Sequence, residues 1–220
     1  MSPISTLAEH VGRVHDLLGA ALADLPGGQI GQVDAEGPDD RLRALLVALE
    51  RVKNAADAVQ AEVLVALGRE ALAADDLERG DSDLPIRSNE EFVPDEVSAL
   101  LSCTRMAAAS RYGLAWQADR YRAVAEGWRD GLIDARKVAA IADQLQHVDD
   151  DLADRLSAPA VEYASHRTAA QAREWLRRKV LSIDPGAAEK RREEIARMLA
   201  GAEITDEARA AAERLIKAAG

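Results

Sequence analysis

From Leu42 to Ala66 the apolar residues recur three and four positions apart without a break, at Leu42, Leu45, Leu49, Val52, Ala56, Val59, Val63 and Ala66. Such a period holds one stripe on one side of a helix and cannot be accommodated on a strand, where successive side chains change face. Asp39 and Asp40 offer a start, and the pattern predicts one long helix over about 40–78. Leu46 and Leu67 fall beside the seam and widen the stripe, which suits a helix packed in a bundle. A coiled coil with another chain is the alternative the heptads allow.

The rest of the chain is helical by the same criterion. Aromatic residues make up 3% of it, and no stretch alternates apolar and polar residues with strand-like enrichment. The fold class expected for the 220 residues is all-α, a bundle of about eight or nine helices. Residues 1–25 read as an N-terminal helix with Thr6 and Glu9 at capping-box spacing, and 26–38 as a Gly-rich linker. Residues 39–200 read as a helical domain, with 201–220 as a C-terminal helix. The Asp-, Ser- and Gly-rich loop from Gly80 to Asn89 is the best candidate boundary inside it.

Beyond that loop, Pro94 suits the first turn of a short helix through Val97, Leu100 and Leu101. Ser102-Cys103-Thr104 interrupts it, and a longer helix begins near Arg105, with Met106, Ala109, Leu114 and Trp116 as apolar candidates. A reversal follows. Gly127 or Gly131 is placed to end one helix in the left-handed conformation. Asp134 is placed to cap the next, with Ile133 and Val138 at hydrophobic-staple spacing. Asp149 and Asp150 start a further helix that Pro159 kinks or splits. Thr168 with Gln171 forms a second capping box, and Asp184 before Pro185 a further cap.

The net charge of −11 is uneven: −12 over residues 1–104, +2 over 105–198 and −1 over 199–220. Nucleic acid would therefore have to be met by a local basic face. Two are candidates. In the first, Val97 to Leu101 and the helix from Arg105 form a helix-turn-helix, with Arg105 and Arg111 reaching the ligand. Two departures favour an ordinary bundle corner. Ser102 stands where the turn glycine is expected, and Arg111 where an apolar residue is normally buried. The second face is Arg167, Arg173, Arg177, Arg178 and Lys179, continued by Lys190, Arg191 and Arg192. Its bland counterpart is a solvated helix face, because Glu174, Glu189, Glu193 and Glu194 interleave with the cations.

No other chemistry is signalled. His10 and His15 diverge around a helix, and the aspartates near His147 are explained as caps, so no metal or other cofactor is expected. Cys103 is the only cysteine, with no partner for nucleophilic catalysis, and reads as a small buried residue. Nucleotide-binding and hydrolase motifs are missing, so the chain does not read as an enzyme. Neither a signal segment nor a membrane span is evident, and a cytoplasmic protein is expected.

A family likeness follows from several short motifs taken in order. These are Leu42-Arg43-Ala44-Leu45 and Glu50-Arg51-Val52-Lys53-Asn54-Ala55-Ala56, then Asp95-Glu96-Val97, Gly131 through Val138, and Val180 through Pro185. Over residues 42–198 the chain resembles the domain of unknown function 222 family of actinobacterial proteins. The resemblance implies a helical region that usually precedes a C-terminal HNH nuclease domain. After Met198 no strand pair or His-rich segment follows, so nuclease activity is not carried over, and the helical region supplies no catalytic residues. Two expectations result. One is a non-catalytic helical module associated with nucleic acid. The other is an interaction module that meets a second copy or another helical protein through helix 40–78.

Overall fold

The computed structural model describes residues 3–23, 38–79, 88–183, 197–198 and 210–215. Among them the secondary structure is helical, with no strand. The helices are α1 (Pro3–Ala23), α2 (Pro38–Arg79), α3 (Val93–Leu100), α4 (Arg105–Asp119), α5 (Arg122–Arg129), α6 (Ala135–Leu145), α7 (Asp150–Ser165) and α8 (Ala169–Ile183). A 3-10 turn, Asn89–Phe92, leads into α3. The chain forms two compact units, Met1–Ala139 and Ala140–Gly220, and the division falls within α6. The boundary expected at Gly80–Asn89 falls within the range of the first unit; residues 80–87 of it lie outside the described ones, and at its end Asp75 accepts from the Asn89 N–H at 2.8 Å and from the Ser88 hydroxyl.

In the first unit α2 is the central element, contacted by α1, α4, α5 and the 3-10 turn. Its buried face is offset from the stripe that size and spacing predict, and of that stripe only Val59 is buried among the described residues. Ala55, Ala58, Ala61, Leu64 and Val65 are buried, whereas Ala56 and Val63 of the predicted stripe are exposed. Small side chains mark the true contact face because they let neighbouring helices approach closely. Gly68 is the extreme case: a Cβ there would clash with the Tyr112 hydroxyl. The same displacement occurs on α4, where Met106 is exposed and Ala108, Tyr112, Ala115 and Ala118 are buried.

The helix ends have identifiable causes. α1 begins at Pro3, so Thr6 lies within the first turns and is not the N-cap the sequence predicts. Proline at a first helical position explains the earlier start. Thr104 caps α4, its hydroxyl accepting from the Ala107 N–H at 3.2 Å. At the end of α5 the Leu132 N–H reaches the Gly127 carbonyl at 2.9 Å, and the Gly131 N–H reaches that of Trp128 at 2.9 Å. This is a Schellman closure, with Gly131 (φ +72°) as its left-handed residue. Of the two candidate glycines it is Gly131 that turns the chain, while Gly127 stays helical. Asp134 then accepts from the Lys137 N–H at 2.9 Å and opens α6, with Ile133 and Val138 both fully buried.

The second unit holds the remainder of α6 with α7 and α8. Asp149 caps α7 through the Leu152 N–H at 2.8 Å. α7 is one helix despite Pro159. The Thr168–Gln171 box is reciprocal. Gln171 N–H donates to the Thr168 hydroxyl at 3.3 Å, and Thr168 N–H to the Gln171 amide oxygen at 3.1 Å. Leu152, Leu156 and Val161 of α7 and Leu176 and Val180 of α8 are buried where the two helices pack together. Asp184 and the basic run Lys190 to Arg192 lie outside the described residues.

Candidate functional site

Four places in the molecule carry chemistry or surface beyond what folding needs. The first is the N-terminal half of α2 with α1. From Leu42 to Lys53 no side chain is buried, and Asn54 is the first buried residue of α2 among the described side chains. α1 runs along α2. Half-buried Leu7, Val14 and Leu17 on α1, and Leu45, Ala48 and Val52 on α2, recur at helical spacing as the pairing stripes. Leu42, Leu46 and Leu49, at i, i+4 and i+7, share a face that α1 leaves open, with Leu42 64% and Leu46 69% exposed. Val11 and Leu18 on α1 are exposed as well. Five acidic and five basic residues lie in 3–23 and 38–53, so this arm is electrically balanced in a chain of net charge −11.

The helix-turn-helix candidate comes next. α3, a turn over residues 101–104, and α4 are present as the sequence predicts. Ser102 (φ +50°) occupies the glycine-like position of a second Schellman closure, with Cys103 N–H to the Ser98 carbonyl at 3.1 Å. Cys103 is half-buried at the turn and not the buried residue the sequence predicts, and its carbonyl accepts from the Ser98 hydroxyl at 2.6 Å. Arg105 is exposed but held by Asp95 at 2.7 Å. Arg111 is exposed, so the helix buries the next residue, Tyr112, in its place. Arg111 and Lys53 favour the ionised form of Asp57, yet burial outweighs them and raises that carboxyl above its ordinary value. Each arginine of this face therefore has an acidic neighbour, which opposes phosphate contact.

The third place is the α7–α8 face. Glu174 takes Arg177 through two bonds of 2.9 and 3.0 Å, and Arg178 lies 3.4 Å from the same carboxylate. The bonded Arg177 guanidinium holds the Glu174 carboxyl below its ordinary value. Arg173 is exposed and makes no ion pair among the described residues. An unpredicted feature lies beside these cations. Tyr163 and Trp175 stack with ring centroids 4.8 Å apart and planes 11° from parallel. The Arg167 guanidinium lies 5.9 Å from the Tyr163 ring, and the Lys179 ammonium 5.8 Å from Trp175. Tyr163 and Trp175 belong to different helices, so only the packing of α7 on α8 reveals the stack.

The fourth place surrounds Glu62. His10 Nδ1 lies 2.5 Å from one Glu62 oxygen, and Arg129 Nε donates to the other at 2.6 Å. These partners come from α1, α2 and α5 and are 52 and 67 residues apart, beyond any local sequence signal. His10 thus has a carboxylate partner. Among the described residues no group of three or more His, Cys, Asp or Glu side chains could hold a metal, and no helix is long and apolar enough to cross a membrane.

No protein-family model, curated protein or solved structure matches the chain.

Proposed function

We propose that this protein is a non-catalytic helical module that joins two copies of its own chain through the α1–α2 arm. The observation that carries the reading is the open face of Leu42, Leu46 and Leu49 on a helix segment without a buried residue. A helix pair this thin cannot bury its own leucines. Two such pairs, packed together, make a four-helix bundle in which each covers the other. A second copy is the fitting occupant because the arm has no net charge, so two arms meet without the repulsion that a chain of net charge −11 otherwise imposes. The resemblance to the domain of unknown function 222 family supplies a setting, a helical region that accompanies nuclease domains.

Light scattering over a concentration series tests this. The expected mass rises toward twice the 23.6 kDa of one chain, and the triple variant L42E/L46E/L49E stays monomeric with unchanged helicity. A monomer at every concentration, or a variant that still dimerises, overturns the reading. A helical partner of different sequence is then the remaining occupant.

A second reading, a nucleic-acid-associated module, is favoured by the Tyr163–Trp175 stack between Arg167 and Lys179. Single-stranded nucleic acid is commonly held by aromatic platforms flanked by cations. Fluorescence anisotropy with labelled oligonucleotides is expected to give binding that weakens steeply with salt. W175A and R173A should reduce it, the first by about 1–3 kcal/mol. No binding at low salt to single- or double-stranded DNA or RNA ends this reading.

A further inference from the structure

Between α2 and the 3-10 turn that leads into α3, the surface of the first unit opens into a groove of about 460 Å³. Leu67 and Ala71 on α2 and Phe92 on the turn supply apolar lining. Phe92 is the only phenylalanine of the chain. It is nevertheless 50% exposed, on a turn that buries none of its residues. Exposed aromatic side chains of this kind are enriched where proteins meet one another.

The charged lining has one sign. Glu70 on α2 and Asp95 and Glu96 on α3 border the groove, and no Lys or Arg does so among the described residues. Asp95 is held by Arg105. Glu70 and Glu96 are exposed and make no ion pair among the described residues. These carboxylates do not gather closely enough to hold a metal ion. They suit separate cations carried on one ligand, as successive Lys or Arg side chains are. The surrounding stretch, residues 54–104, has twelve acidic and three basic residues, and a field of that sign draws a basic partner in.

We propose that this groove docks a basic amphipathic helix of another protein. A leucine-sized side chain rests on Leu67, Ala71 and Phe92, while Lys or Arg residues meet Glu70 and Glu96. Apolar anchors at helical spacing, with cations between them, are the complement of this lining. The groove takes no part in either earlier reading. Leu67 is roughly 27 Å along α2 from Leu49, at about 1.5 Å per residue. The α7–α8 face belongs to the other unit. Failure of the groove therefore leaves both readings untouched.

The test is fluorescence anisotropy of the labelled peptide LKKLLKLLKKLLKL, titrated with the intact protein. Saturable binding is expected, weakening as salt rises because the carboxylates are exposed. The peptide AKKAAKAAKKAAKA keeps the charge without the large side chains and should bind at least about tenfold more weakly. LEELLELLEELLEL reverses the charge and should not bind. On the protein, E70Q/E96Q should weaken binding about fivefold and F92A about tenfold, with helicity unchanged. E70Q/E96Q alters exposed positions only and decides alone should F92A not fold. D154N/E162Q removes as much charge from exposed positions of α7 and should bind as wild type does. Absence of saturable binding, equal binding of the alanine or glutamate peptide, an affinity unchanged in E70Q/E96Q, or an equal loss in D154N/E162Q overturns the proposal.

Discussion

Ser102 and Gly131 perform the same task with unequal means. Each closes a helix in the left-handed region, through the same pair of backbone hydrogen bonds. For a residue with a Cβ that region costs roughly 1–2 kcal/mol, against a chain-entropy penalty of roughly 0.5–1 kcal/mol for glycine. The first effect is larger, so S102G is expected to stabilise the protein by about 0.5–1 kcal/mol in denaturant unfolding. G131A should destabilise it by about 2 kcal/mol or more, because its Cβ would also stand 2.5 Å from the Arg51 carbonyl oxygen. The glycine was readable as a stop, whereas nothing distinguishes a left-handed serine from any other serine in a turn. Asp57 gives a prediction in pH. Burial raises its folded-state pKa, so the folded chain binds the proton more tightly than the unfolded one. Its contribution to stability is greatest below the ordinary carboxylate pKa and is lost as pH rises through the raised value. D57N should therefore melt at a higher temperature than wild type at pH 7, with the gap closing as pH falls below about 4.

Helices were legible as elements more than as faces. The long helix was expected over about 40–78 and spans Pro38–Arg79, because period and end signals both depend on local sequence. Its core face shares Val59 with the expected stripe and is otherwise offset from it, since the pattern weighs large residues while much of the junction is built from Ala55, Ala58 and Ala61. Of the three heptad leucines Leu42 and Leu49 are left open, together with Leu46 beside the seam, and Leu45 is half-buried. Capping shows the same limit. Thr168 and Gln171 close a real box, while Thr6 and Glu9 have identical spacing inside a helix that Pro3 had already begun. Stacks and ion pairs between helices, such as Tyr163 with Trp175 or His10 with Glu62, left no trace in spacing.

For the molecule as a whole, charge was the property the sequence disclosed most fully, and its placement separates the two functional readings. The acidity of the first 104 residues belongs mainly to 54–104, with twelve acidic and three basic residues, and not to the arm. Added salt screens repulsion between two acidic bodies but removes the counterion advantage of phosphate contacts. Association through the arms should hold or strengthen with salt, whereas nucleic-acid binding must weaken. One contact decides where arm and body part company. Gly131 presses against the Arg51 carbonyl and accepts from the Asn54 amide at 3.4 Å, where α2 gains its first buried residue. The reversal is thus a collar on a shaft. It sets how much of α2 is gripped and how much is free, so a change at residue 131 would alter the reach of the arm without touching any leucine on it.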